Sequence, residues 1–206
     1  AVVEESRPGE YLPVYENERG TFLFNSGDLC MVEHIPELME AGVDSYKIEG
    51  RMKTALYVAT VARTYRKAID CYLESDETYR ERMDWFHKEI AKCTYRRFNT
   101  GFYFGKPSAA NQIYDNSTYI SECIYLGLIE ENTDGLSLIH QKNKFSVGDT
   151  IEIMKPDGRN IRTRVLAMYN GDGEAVESCP HSKEMIRLRL DAEAEPFDIL
   201  RTVDTK

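Results

Sequence analysis

The sequence predicts an α+β chain, with a helical first half of βα type followed by a small closed barrel of antiparallel strands. Three observations carry this. Residues 54 to 74 hold apolar side chains at helical spacing, the strongest periodic signal in the chain. The order helix, strand, helix between residues 36 and 74 is the grammar of βα units. From about residue 118, short strand-like runs alternate with Asp-Gly turns. Closing such a set of strands into a barrel removes its exposed edges.

Taken in order, Pro8, Gly9 and Pro13 break any helix near the start, and "TFLF" at 21 to 24 reads as a strand. Asn25 and Ser26, ahead of Asp28, Leu29 and Cys30, suit a helix start with a side-chain cap. Pro36 suits a first helical position, and "PELMEAG" gives one short helix with Gly42 as its C-terminal stop. Val43 to Ile48 reads as a strand ended by Gly50. In the 54 to 74 helix, Val58, Val61, Ala62, Tyr65, Ile69 and Tyr72 form one face. Arg63, Arg66, Lys67, Asp70 and Glu74 lie largely opposite. A second helix is expected over 78 to 93, with Tyr79, Met83, Phe86 and Ile90 inward. "YRRFNTGFYFGKP" then reads as a linker or docking loop.

In the last part, "TDG" at 133 to 135, "PDG" at 156 to 158 and "NGDG" at 170 to 173 are turn signals. Around them lie "LSLIHQ", "TIEIMK", "IRTRVLAMY", "MIRLRL" and "DILRTV", so six or seven strands are expected. The expected division is 1–75, 76–117 as helix and aromatic linker, and 118–206 as the barrel. The helix over 54 to 74 is expected to pack its apolar face on the next helix or to drive self-association.

Composition narrows the function. With 26 Lys and Arg against 35 Asp and Glu, the net charge of -9 argues against non-specific nucleic-acid binding but leaves room for a local basic patch. Five cysteines, an odd number with no CxxC spacing, argue against a disulfide framework and point to a reducing, cytoplasmic setting. No apolar run is long enough to span a membrane, and no signal peptide is legible. The opening, "AVVEESRPGEYLPVYENERG", lacks an initiator methionine and reads as the interior of a longer sequence.

Three stretches could carry chemistry. In "KIEGRMK", Lys47, Glu49, Arg51 and Lys53 gather at a strand end before a helix, where βα barrels place their active sites. Glu49 could take a proton and Arg51 could hold a carboxylate or phosphate. The alternative is a salt-bridged strand end with no catalytic part. Cys30 is either a packed thiol or a metal ligand, with His34 four residues on along one helical face. Cys71 reads as packing, and Cys179 and His181 as surface residues. In "RRFNTGFYFGKP", Arg96, Arg97 and Lys106 interleave with Phe98, Phe102, Tyr103 and Phe104. Such a stretch either stacks and neutralises RNA or buries a domain junction. HExxH, Walker A and GxGxxG motifs are absent.

"RPGEYLPVYENERGTFLFNSGDLC", "IPELMEAGVDSYKIEGRMKTALYVATVARTYRKAIDCY" and "NTGFYFG", in that order, resemble the collagenase-like peptidase family U32. The stretch with "KFSVGDTIEIMKPDG" resembles that family's C-terminal barrel, which is similar to the second domain of elongation factors. Gly27 stands where the family usually has Lys, and Asn17 where it often has Asp.

The resemblance implies the C-terminal remnant of a (β/α) barrel followed by the small β-barrel, within a longer parent. It implies that Cys30 is the fourth cysteine ligand of an iron-sulfur cluster, with three ligands outside this sequence. The site residues expected from the two motifs are Glu49, Arg51 and Lys53 as catalytic and Arg96, Arg97 and Tyr103 as contacts to substrate or RNA. The resemblance implies RNA (tRNA or rRNA) hydroxylation with prephenate as a co-substrate. The alternatives are a peptidase acting on collagen-like or other proteins, and a non-catalytic barrel that docks RNA or protein. The isolated chain is expected to hold no cofactor and to show no turnover.

Overall fold

The structure is a computed structural model that describes every residue except 19, 23–25, 107–110, 112, 114–119 and 204–206. Leu23, Phe24 and Asn25, and most of the expected boundary near 105 to 118, lie outside the described residues. The chain is α+β: a helical unit beside a closed barrel.

The first strands are short. β1 (Val2–Val3) pairs β2 (Tyr11–Leu12), and β3 (Tyr15–Asn17) pairs β4 (Gly20–Phe22), both antiparallel. The expected helix start at 25 to 30 is corrected: Asp28–Leu29 is a strand, β5, and helix α1 begins only at Ile35–Glu40. β5 runs parallel to β6 (Phe98–Asn99), taken from the stretch expected to be linker. Pro36 sits in the first turn of α1, and Gly42 at φ +78° follows its end. The expected strand from Val43 to Ile48 is also corrected, because residues 43 to 50 form no ladder. An extended segment becomes a strand only when a neighbour takes its backbone groups, and no described strand lies against this one.

α2 spans Ala55–Glu74, with the Thr54 hydroxyl accepting from the Tyr57 N–H at 3.3 Å. The single helix expected over 78 to 93 is two helices, α3 (Asp76–Glu81) and α4 (Met83–Ile90). Ser75 ends α2 and caps α3, and Arg82 stands between the end of α3 and the start of α4. Val32, Ile35, Ala68, Cys71, Tyr79 and Phe86 form the core of this unit. The Tyr79 hydroxyl donates to the Val32 carbonyl at 2.7 Å, which satisfies a polar atom inside that core.

The barrel strands are β7 (Tyr125–Thr133), β8 (Leu136–Gln141), β9 (Thr150–Met154), β10 (Asn160–Tyr169), β11 (Met185–Leu190) and β12 (Ile199–Thr202). They close in the order β10-β11-β8-β7-β12-β9, with every pair antiparallel. "TDG" is the β7–β8 turn, with Asp134 and Gly135 at φ 54° and 74°, the primed geometry a tight hairpin requires. "PDG" joins β9 to β10. β7 escaped the sequence reading because its buried run, Tyr125 to Leu126 with Ile129, alternates only in part. Leu126, Ile129, Ile139, Ile153, Val165 and Leu188 fill the interior. Cys179, expected at the surface, is 1 % exposed in this core. Its thiol donates to the Phe145 carbonyl and its own carbonyl accepts from Gln141, so the loop folds inward over the barrel end.

Candidate functional site

Two polar assemblies stand out. One is buried, between helices and barrel. The other lines a cleft.

The buried assembly centres on Glu89 of α4, 1 % exposed. Its carboxylate accepts from Arg63 of α2, and from Arg201 of β12 at 2.6 Å. Arg201, fully buried, also reaches Glu152 of β9 at 2.6 Å, and Lys92 joins Glu152 at 3.2 Å. Arg63 donates further to the Lys155 carbonyl at 2.8 Å and to Asn160 at 3.0 Å. Burial pushes the Glu89 carboxyl up, but Arg201, Arg63 and Lys92 outweigh it and hold the group below its ordinary value. Burial pulls Arg63 down, yet a guanidinium starts so high that it stays charged at neutral pH. The sequence placed Arg63 on the polar face of α2, which is corrected here. Periodicity reports which side chains are apolar, not which cations another element will cover. Around this network Leu56 packs on Tyr125, Met154 and Ile199, so α2 is fastened to β7, β9 and β12. Leu56, Val61, Ala68 and Cys71 of α2 are thus buried against helices and barrel, while Val58 and Ala62 of the expected apolar face stay exposed.

The cleft has a volume of about 750 Å³ and lies among β5, β6, the 43 to 53 segment and α2. Its floor includes Cys30, Tyr57, Tyr65 and Cys93. Lys47, Glu49, Arg51, Lys53, Arg96 and Tyr103 stand along it. The structure thus brings six of the seven sequence-predicted site residues to one cleft, with Arg97 exposed just outside its lining.

Their environments differ. Glu49 and Arg51 are exposed, and the Glu49 carboxylate accepts from the Arg51 backbone N–H at 2.8 Å. Lys53 is half-buried, donating to the Thr94 carbonyl at 3.1 Å and lying 3.5 Å from Asp28. Asp28 also accepts from the Arg96 backbone and side chain at 3.0 and 3.1 Å. Asp28 was not singled out from the sequence. It braces both cations, which makes it a positioning residue of the cleft. Tyr103 is exposed beside Phe102 and Phe104, 80 % and 60 % exposed. The expectation that these aromatics bury a junction is corrected: only Phe98 is tucked in, stacked on Tyr95 at 4.4 Å, and Phe104 leans on His34.

Cys30 is half-buried, and its sulfur accepts from the Tyr65 hydroxyl at 3.8 Å. Burial raises its thiol above the ordinary value, and burial raises Cys93 to about 12. Both are therefore protonated thiols at neutral pH, not activated nucleophiles. The expected pairing of Cys30 with His34 along a helix is corrected, since Cys30 precedes α1 and His34 meets Glu37 at 3.1 Å. Among the described residues no group of three or more His, Cys, Asp or Glu side chains could hold a metal ion. Cys30 fits as one thiol ligand facing the cleft. A complete ligand set is not formed by the described residues.

No described helix is long and apolar enough to cross a membrane. A model described as Peptidase family U32 matches residues 1–113, and one described as its C-terminal domain matches residues 121–201. "tRNA hydroxylation protein P1" of Bacillus subtilis is 32% identical over 191 residues, covering 91% of this chain and 45% of that protein. "tRNA hydroxylation protein P" of Escherichia coli is 35% identical over 191 residues, covering 87% and 39%. An "Uncharacterized protease" of Methanocaldococcus jannaschii is 47% identical over 103 residues, covering 50% and 24%. The chain spans less than half the length of each of these relatives.

Proposed function

The chain belongs to peptidase family U32, and from that premise we propose that it serves an enzyme that hydroxylates a base of transfer RNA. The observation that carries this reading is the cleft, in which cations stand over a floor of tyrosines and thiols. Arg51, Lys53 and Arg96 would hold phosphate, since guanidinium and ammonium groups match its charge and donors. Tyr103 would stack on a base turned out of its helix, because chemistry on a base requires it to leave the stack. The volume, about 750 Å³, lies within the range of small-ligand pockets. The same cations would hold the carboxylates of prephenate as co-substrate. Cys30 would supply one thiolate to an iron-sulfur group, which brings redox chemistry when bound. The relatives named for tRNA hydroxylation support the reading. It places the protein in the cytoplasm with its RNA.

A peptidase is the second reading, favoured by the relative named as a protease. It finds less support in the cleft. Both thiols there are protonated, and Glu49 is occupied with its own loop.

The test is mass spectrometry of transfer-RNA nucleosides from cells making the native protein or its Arg51→Ala form. Loss of a charged contact predicts about a tenfold or greater fall in one oxygen-bearing nucleoside. Unchanged nucleosides, together with gelatin hydrolysis that disappears in Glu49→Ala, would establish the peptidase instead.

A further inference from the structure

The barrel has two sides of different character. β7, β12 and β9 face the helices, through Tyr125, Ile199 and Met154 against Leu56 and through Arg201 against Glu89. The other three neighbours in the closed order are β10, β11 and β8. Of these three strands, among the described residues, the start of β10 at Asn160 reaches back to Glu89.

On β10, Thr163, Val165 and Met168 are buried, while Arg162 and Arg164 are exposed between and beside them. On β11, Ile186 and Leu188 are buried, while Arg187 and Arg189 are exposed. Alternation along a strand therefore puts all four guanidinium groups on the outer surface. In the register Arg189 lies opposite Ala167 and Arg187 opposite Tyr169, so the β11 pair sits further along the face than Arg162 and Arg164. Adjacent strands lie about 4.8 Å apart and alternate residues about 7 Å, so the four form a diagonal strip about 20 Å long, with Asp191 beside Arg164 within it. A bulge between Val165 and Ala167 turns Leu166 out beside it, 48% exposed.

Such a gathering carries mutual repulsion, and it stands in a chain of net charge -9. Two carboxylates, Glu131 and Asp191, offset part of it. Glu131 reaches Arg187 at 3.8 Å, and Asp191 accepts from Thr163 and from the Arg164 backbone. Among the described residues, Arg162, Arg164 and Arg189 form no ion pair within 4.0 Å. Leu166 and Tyr169 supply little apolar surface, whereas a protein interface is anchored by a buried apolar centre. Repeated guanidinium groups on an open strand surface match repeated phosphates instead.

We propose that the outer face of β10 and β11 binds the phosphate backbone of RNA. This rests on the reading of RNA as substrate and assigns a contact surface on the barrel, apart from the cleft.

The test is fluorescence anisotropy of the full chain with a labelled transfer-RNA transcript across a salt series. Each lost phosphate contact should flatten the dependence of log affinity on log salt by about 1, so Arg164→Ser with Arg189→Ser should flatten it by about 2. Arg164→Lys with Arg189→Lys should keep the native slope. Thermal melting checks that the variants fold, and Arg162→Ser with Arg187→Ser provides a second pair. A native slope in both serine pairs overturns the surface while leaving RNA as the cleft's substrate. Displacement of the transcript by polyglutamate as readily as by unlabelled RNA overturns RNA as the occupant. No binding by the native chain at low salt sinks this surface. The nucleoside measurement, which does not depend on the barrel arginines, then decides the cleft reading separately.

Discussion

At the residue scale, Glu89 is the most consequential side chain that the sequence did not mark. Glu89→Gln leaves Arg63 and Arg201 buried without their carboxylate, and breaking a buried pair costs about 3–5 kcal/mol. Urea unfolding followed by tyrosine and tryptophan fluorescence checks this. The same group sets an acid limit. Its carboxyl is held below its ordinary value, so the folded state binds fewer protons than the unfolded one. Its contribution is present above the unfolded value of about 4.3 and is lost as pH falls through the folded one. Melting temperature should therefore fall on acidification below about 4.3, and Glu89→Gln should flatten that limb. Cys30 is the half-buried thiol among five, the other four being buried. Iodoacetamide on the native chain should modify Cys30 first, slowly at neutral pH and faster in alkali because the thiol is raised. Intact-mass counting with Cys30→Ser as control checks it, and modification shared evenly among the five would contradict the packing described.

At the element scale, the pairing of β5 with β6 explains why a cleft exists. Two residues of each strand suffice to carry Asp28 to Arg96 and Cys30 to Asn99, across most of the helical unit's sequence. Gly27 permits this approach. A Cβ there would stand 2.1 Å from the Arg97 carbonyl oxygen and 2.7 Å from Asn99 Nδ2. Any side chain at this place is therefore incompatible with this close pairing. Gly27→Ala should cost about 1–3 kcal/mol, the range for overpacking, and should weaken Asp28's hold on Arg96 and Lys53. Equilibrium unfolding checks the first effect. The end of α2 is an independent test: Thr54→Ala removes the cap on Tyr57 and should cost about 1 kcal/mol without altering the cleft's thiols.

At the scale of the whole molecule, the helical unit and the barrel meet through one ionic network with an apolar border. The barrel thereby presents its arginine-bearing strands outward, while β7, β9 and β12 are covered. Much of this was legible in advance. The helix over 54 to 74, the turn at 133 to 135 and the closure of the strands followed from spacing and turn chemistry, which act over a few neighbouring residues. Six of the side chains that line the cleft were singled out in advance, though the strand on which their motif was placed does not form. What the sequence could not supply was partnership at long range. Whether Val43 to Ile48 becomes a strand depends on a neighbour. Whether Arg63 is solvated depends on Glu89 arriving from another helix, 26 residues on. Whether Cys179 is exposed depends on a loop folding over a barrel end. The amino-acid sequence by itself determined local periodicity, turns and the count of charges, because those arise from adjacent backbone and side-chain chemistry. Only the tertiary structure decided which charges are buried against each other, because desolvation is set by elements distant in the chain.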